Sequence, residues 1–242
     1  ALLAANLDTR WSVPAGIRAT RLSYSILEKA KRSGMTHLQI APETGSPKVL
    51  EWVDKRFDHA SIEETIHNAK AVGLPLAAYF VIGHPVEEIE DYMLTLAYLA
   101  KLAKLGVDEI AICLFTPLPG SPWFNELRER GMIELNDDFY ATLAQGDLAL
   151  QVSHAPNFTG RELQAMRLHS HLWFYGNRFA RSPRDLLSLF GRMASGKQEM
   201  KIDRVLRYEM KSILRGFAPV LTPTSFSVLG TVARAALREA RS

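Results

Sequence analysis

Cysteine is almost missing: Cys113 is the only one in 242 residues. One thiol cannot form an internal disulfide, and it cannot supply the three or four ligands of a cysteine-held cluster. A reducing, cytoplasmic setting is therefore expected. No uncharged apolar run reaches the roughly 18 residues of a transmembrane helix, so no membrane span is expected. The opening ALLAANLDTRW has neither the charged lead nor the cleavage site of a signal peptide. It also lacks an initiator Met, as a processed or cut start would. Neither a P-loop nor a G-x-G-x-x-G loop occurs, which removes two common phosphate cradles. Metal-ligand spacing is absent too. His169 and His171 stand two apart, off a common helix face, with no Cys or carboxylate at a metal-site spacing.

What is present is ordinary for a globular chain: 47% hydrophobic and 23% charged residues, which excludes disorder and collagen. The length suits one large domain, or one domain with an appendage. The net charge of +3 conceals an asymmetry. Residues 1–150 hold 14 Lys and Arg against 20 Asp and Glu, and residues 151–242 hold 15 against 6. The two parts read as different structural units. The basic part is either a solvated face packed against the acidic one, or a surface for nucleic acid or anionic lipid.

The first 131 residues alternate between two periods. Thr36–Pro42, Leu74–Gly83 and Val107–Phe115 are short apolar runs that read as strands, and Arg10–Val13 is a candidate for an earlier one. Between them lie helical patterns. Leu22–Ser33 carries Leu22, Ile26, Leu27 and Ala30 on one stripe. Ser61–Val72 opens with a Ser61/Glu64 capping box and stops at Gly73. Glu88–Leu105 has Tyr92, Leu96, Leu99 and Ala103 on one face, and Pro122–Arg130 follows. Strands separated by helices pair in parallel. Four βα units make half of an eight-unit barrel, so residues 1–131 read as part of a barrel or of an open α/β sheet. After Gly131 the pattern changes. A Thr159-Gly-Arg-Glu162 box opens a helix to about Ala180, and further helices are expected at 183–194, 200–215 and 224–240.

Active sites in such sheets lie at the C-terminal ends of the strands. Three loops stand there. In Pro42-Glu43-Thr44-Gly45-Ser46, the carboxylate of Glu43 can bind ribose hydroxyls or an ammonium group, or merely cap a helix. In Ile82-Gly83-His84-Pro85-Val86-Glu87-Glu88, Gly83 leaves room for a flat ring. His84 reads there as a solvated loop histidine rather than an acid or base. In Phe115-Thr116-Pro117-Leu118-Pro119-Gly120-Ser121, the stiffened exit offers backbone groups ahead of Pro117 to a base. Cys113 reads as a packed small hydrophobe. The Trp173-Phe174-Tyr175 run reads as helix core, with a cover over a site as the alternative.

Taken in order, these motifs resemble one family. Trp11 in a first strand, a helix ending at Gly34, Glu43-Thr-Gly-Ser46 with Lys55 beyond it, Gly73 before Ile82-Gly-His-Pro-Val-Glu87, and Pro117-Leu-Pro-Gly-Ser121 look like the second part of a radical S-adenosylmethionine (SAM) core. The nearest likeness is to the group that often carries an N-terminal cobalamin-binding domain, which includes cyclases and methyltransferases. Val86 and Glu88 depart from the Gly and Thr common there. The larger departure is the absence of the Cys-x3-Cys-x2-Cys loop and of the Gly-Gly-Glu-type loop.

The resemblance implies an α/β fold. Residues 1–131 would form a partial (β/α) barrel of the radical SAM type, with about four βα units. Residues 132–242 would form a mostly helical C-terminal extension. It implies that Glu43 meets the SAM ribose or aminoacyl part, that Ile82 and Gly83 form wall and floor for adenine, and that the Phe115 and Thr116 backbone bonds the adenine edge. No catalytic acid or base and no metal ligand follows from it. The [4Fe–4S] cluster that cleaves SAM to a 5′-deoxyadenosyl radical would be held by a missing N-terminal barrel part. Cobalamin in the parent protein, a reductant such as ferredoxin or flavodoxin, and a small-molecule or peptide substrate complete the implied set. Two alternatives stay open: a non-catalytic binding or scaffold module on a degenerate barrel, and a different βα-barrel enzyme acting on phosphate-bearing substrates.

Overall fold

A computed structural model describes residues 8–13, 17, 22–56, 58–143 and 152–182. Three parallel strands, β1 (Leu38–Glu43), β2 (Leu76–Ile82) and β3 (Glu109–Leu114), form one sheet in that order. Leu38, Ile40 and Leu76 alternate with Gln39 and Ala77, so each strand turns every second side chain to one face. On that face Leu38, Ile40, Leu76, Ala78, Phe80, Ile82, Ile110 and Ile112 enter the main core. The other face carries Tyr79, Val81 and Cys113, all half-buried. The expected strand at Arg10–Val13 is reduced to a single parallel bridge, Trp11 to Met35, and a separate bridge joins Ile17 to Ile40 of β1.

Helix α1 (Tyr24–Arg32) precedes β1, and the crossovers are α2 (Pro47–Trp52) with α3 (His59–Val72), then α4 (Ile89–Leu105). In α4 the expected stripe holds: Tyr92, Leu96, Leu99 and Ala103 are all buried. In α1 it holds only in part, because Leu27 is buried whereas Ile26 is 49% exposed. The start of α3 also differs. Asp58, not Ser61, is the cap, accepting from the Ser61 amide at 2.8 Å, which moves the helix start to His59. Gly73 closes α3 at φ +73°, a left-handed turn that suits glycine.

After β3 come α5 (Pro122–Glu129), α6 (Asp137–Thr142) and α7 (Gly160–Arg181). The Thr159/Glu162 box opens α7 as expected. Helix α7 lies on α4 and β3, with Leu163, Met166 and Phe174 in the same core as the strands. Tyr92 fastens it: its hydroxyl donates to the Met166 carbonyl at 2.9 Å, and His169 Nδ1 and Ser170 Oγ stand within 3.2 Å. Trp173 Nε1 donates to the Leu96 carbonyl at 3.0 Å, and Phe174 is fully buried, so this aromatic run is helix core. At the far end Arg178 bonds the Val107 carbonyl and Asp108. The helices expected at 183–194, 200–215 and 224–240 lie outside the described residues.

Candidate functional site

The sheet ends on one side in the three loops singled out above. The register places them together: Glu43 pairs with Phe80, Ile82 pairs with Leu114, and the Phe115 amide donates to the Ile82 carbonyl at 2.8 Å.

In the first loop the β1–β2 register slips between Ile40 and Glu43, and Glu43 takes φ +67°. A non-glycine residue pays about 1–2 kcal/mol for that backbone. Its Oε1 meets Lys55 Nζ at 3.0 Å. The rest of the motif is structural. Thr95 Oγ1 lies 3.0 Å from Thr44 Oγ1 and accepts the Gly45 amide at 3.0 Å. Ser46 Oγ donates to Asp91 Oδ1 at 2.6 Å and caps α2 by accepting from the Val49 amide. A Cβ on Gly45 would stand 2.6 Å from Thr95 Cα, so glycine is required there by close approach to α4. Of Glu43-Thr-Gly-Ser46, Glu43 alone takes no part in this joint, and its carboxylate is ion-paired with Lys55.

Asp91 is the hub of this joint. Beside Ser46, its carboxylate accepts the Glu88 amide at 2.9 Å and meets Lys48 Nζ at 2.7 Å. Burial pushes its pKa up, but the bonds from Lys48, Ser46 and the Glu88 amide outweigh burial and hold it below the ordinary value. Glu88, the cap of α4, completes a capping box with Asp91.

The second loop is a turn closed on its own carboxylate. Glu87 Oε2 accepts the amides of Gly83 (2.6 Å) and His84 (3.0 Å). Gly83 has φ +84°, and a Cβ on it would stand 2.8 Å from Leu163 Cδ1 of α7. The Ile82 side chain belongs to the main core, and its carbonyl is taken by the Phe115 amide. His84 is not the solvated residue expected from sequence. It is 2% exposed, packed 5.8 Å from the Trp52 ring and 5.2 Å from the Phe115 ring.

In the third loop Phe115 is buried, and Thr116 turns its hydroxyl back to the Leu114 carbonyl at 3.4 Å. Trp123 of α5 stacks on Trp52 of α2 at 5.0 Å, and both approach Phe115 edge-on. Sequence reading missed this aromatic wall. Trp52 and Trp123 are 71 residues apart, and neither stands in a strand-end motif. Among the described residues no group of three His, Cys, Asp or Glu could hold a metal ion.

Gly83→Val tests the packing above β2. Left-handed φ disfavours any branched residue, and Leu163 occupies the added volume. The substitution is expected to lower stability by about 2–4 kcal/mol, and adding Leu163→Ala to relieve only part of that. Chemical denaturation of both variants measures it; a stable Gly83→Val protein would contradict the close contact.

No protein-family model matches the chain. It is 25% identical over 170 residues to an uncharacterized methyltransferase of Pyrococcus horikoshii, across 70% of this chain and 35% of that protein. The chain is similar to methyltransferases. A second is the cytidylyl-2-hydroxyethylphosphonate methyltransferase of Streptomyces wedmorensis, 24% identical over 144 residues, 56% of this chain and 26% of that one. A third is the bacteriochlorophyllide d C-12(1)-methyltransferase of Chlorobaculum tepidum, 23% identical over 127 residues, 52% of this chain and 27% of that one. Among solved structures, the coproporphyrinogen III oxidase of Escherichia coli, a radical SAM enzyme, superposes with a TM-score of 0.42 at 16% identity, over 75% of this chain and 35% of that one. The chain thus spans about a third or less of the length of these methyltransferases. No helix among the described residues is long and apolar enough to cross a membrane.

Proposed function

We propose that the chain is the C-terminal part of a radical SAM enzyme of methyltransferase type, and that its strand-end loops bind the adenosyl part of SAM. The observation that carries this reading is the gathering of Glu43, Ile82-Gly83 and Phe115-Thr116 at adjacent C-terminal ends of one parallel sheet. That is where α/β sheets bind ligands. The similarity to methyltransferases over 70% of the chain supports the reaction class. Residues 1–131 then serve as the second part of a barrel, with residues 132–242 as its helical extension.

A [4Fe–4S] cluster does not fit this chain. One cysteine is present, and among the described residues no other donors gather. The ligands would come from the N-terminal part, as would the domain for any cobalamin. SAM does fit. Glu43 holds a carboxylate at the mouth in a strained backbone, a feature that persists where surroundings over-determine it. Lys55 fixes its direction. SAM would supply the transferable or radical-forming group, while these residues bind, orient and exclude water. Phe115, Trp52 and Trp123 give the mouth an apolar wall against which a purine can lie.

SAM titration of the full-length protein tests the reading. Glu43→Ala is expected to weaken binding about 5- to 100-fold, from the loss of one charged hydrogen-bonding group. The reading frame upstream of residue 1 should encode a Cys-x3-Cys-x2-Cys loop, and this chain alone, given iron and sulfide anaerobically, should take up no stoichiometric cluster. A full-length protein that binds no SAM, or that lacks the cysteine loop, overturns the proposal.

A further inference from the structure

Helix α7 carries two arginines on the side that faces β3, and the fold treats them differently. Arg178 bonds the Val107 carbonyl and Asp108 at the start of the strand. Arg167 lies eleven residues earlier, about three turns back along the same side, and so stands beside the other end of β3. Its guanidinium is close enough to the Cys113 sulfur for the two charges to act on one another. Yet no hydrogen bond or ion pair holds it. The residue is half-buried. Burial pushes its pKa below the ordinary value against the pull of the Cys113 thiolate, and an arginine stays charged all the same. Glu109, the carboxylate on the Cys113 face of β3, stands four residues and roughly 13 Å back along the strand. A structural arginine in such a place takes a carboxylate or carbonyls, as Arg178 does, because a half-buried cation without a partner costs free energy.

We propose that Arg167 anchors an oxyanion, the phosphate or carboxylate group of a substrate, on the second face of the sheet beside Cys113. That the bound molecule is a substrate rests on the SAM reading; that it is an oxyanion rests on Arg167. The guanidinium presents its N–H donors in a planar fork that matches two oxygens of a phosphate or carboxylate. Partial burial makes such a pair stronger than it is in open water. The place is set by the sheet. Cys113 pairs with Val81 and shares its face with Val81 and Tyr79, the face turned away from the main core. Strand β3 is the edge of the described sheet, so α7 lies where a side chain can pass its free edge to that face. Cys113 also stands two residues, roughly 7 Å, before Phe115. An anion held by Arg167 therefore sits just inside the strand ends proposed to bind SAM, and the rest of the molecule has only a short reach to them.

The probes are inorganic phosphate and succinate, with sodium chloride at equal ionic strength as the control. The readout is alkylation of Cys113 by iodoacetamide in the full-length protein, followed on its own peptide by mass spectrometry. An oxyanion on Arg167 covers the thiol and neutralises the cation beside it, so at least one probe is expected to slow alkylation about 3- to 10-fold. Arg167→Met keeps the length and removes the fork, and should raise the concentration needed for protection about 10- to 100-fold. Arg167→Lys should keep part of the effect, as a point charge without the fork. Protection by phosphate alone assigns a phosphate-bearing substrate, and protection by succinate alone a carboxylate-bearing one. No protection by either probe, or equal protection in Arg167→Met, overturns the inference and leaves SAM binding standing. Protection in a protein that binds no SAM keeps the anion site and overturns its substrate role. Should Cys113 resist alkylation or Arg167→Met not fold, 15N labelling of the native protein decides: the Nε resonance of Arg167 should move with phosphate or succinate and not with chloride, and a resonance that stays in place overturns the assignment.

Discussion

Gly45→Ala is expected to cost about 3 kcal/mol, at the upper end for overpacking. The added methyl would collide with the Leu94 carbonyl and stand 2.6 Å from Thr95 Cα, both backbone atoms of α4 that cannot step aside. The effect of Ala at an unstrained glycine usually has the opposite sign, a gain of about 0.4–1 kcal/mol through the unfolded chain. Gly176→Ala in α7 provides that comparison, since a Cβ there meets nothing within 4 Å. Urea denaturation of the pair should show one large loss and one small gain. Equal small effects would mean that the β1–α2 loop does not lie on α4 as described. Because Glu43 sits two residues away, the same variant should also weaken SAM binding.

Asp91→Ala is the second large effect, about 3 kcal/mol, because it strands the buried Ser46 hydroxyl and the Glu88 amide together, while the exposed Lys48 keeps its 2.7 Å ion pair with Glu88. The carboxyl is held below its ordinary value in the folded protein. Its contribution is therefore fully present above the unfolded pKa of about 4, and is lost as pH falls through the lower folded value. Denaturant midpoints between pH 7 and pH 3 should fall for the native chain and fall less for Asp91→Asn. His154 and His169 act in the same direction higher up. Burial depresses both, so the neutral rings stabilise above the ordinary histidine pKa, and charging them weakens the fold as pH drops. A native chain no less stable at pH 3 than at pH 7 would contradict the Asp91 hub.

The strands were legible because continuous apolar runs bounded by Gly and Pro are unambiguous. Leu38–Glu43, Leu76–Ile82 and Glu109–Leu114 each fall within about two residues of the expected spans. Tyr92, Leu96, Leu99 and Ala103 were legible for the same reason, one helical period on one face. What periodicity could not carry was contact at long range. The motif Glu43-Thr-Gly-Ser46 reads as a ligand loop, yet three of its four residues serve Thr95 and Asp91, partners about fifty residues on. His84 reads as solvated because its neighbours in sequence are turn residues. The rings that bury it come from α2 and from the end of β3. Asp58 displaced the Ser61 cap because an aspartate three residues ahead of the box was the better acceptor for the first turn.

Helix α7 covers β3 after an excursion of the 45 residues between Leu114 and Gly160. Closing a loop of that length costs about 2 kcal/mol more chain entropy than closing one of five residues. The core positions Leu163, Met166 and Phe174 are thus supplied by the segment that reaches the sheet at the greatest entropic expense. Contacts so distant in sequence are slow to form. The order of assembly that follows is a sheet and α4 formed first with an oily flank, and α7 latched onto it last by Tyr92 and Trp173. Until that latch closes, the flank of α4 is the chain's sticky surface, so the interval before docking is where misassociation during synthesis has its opening.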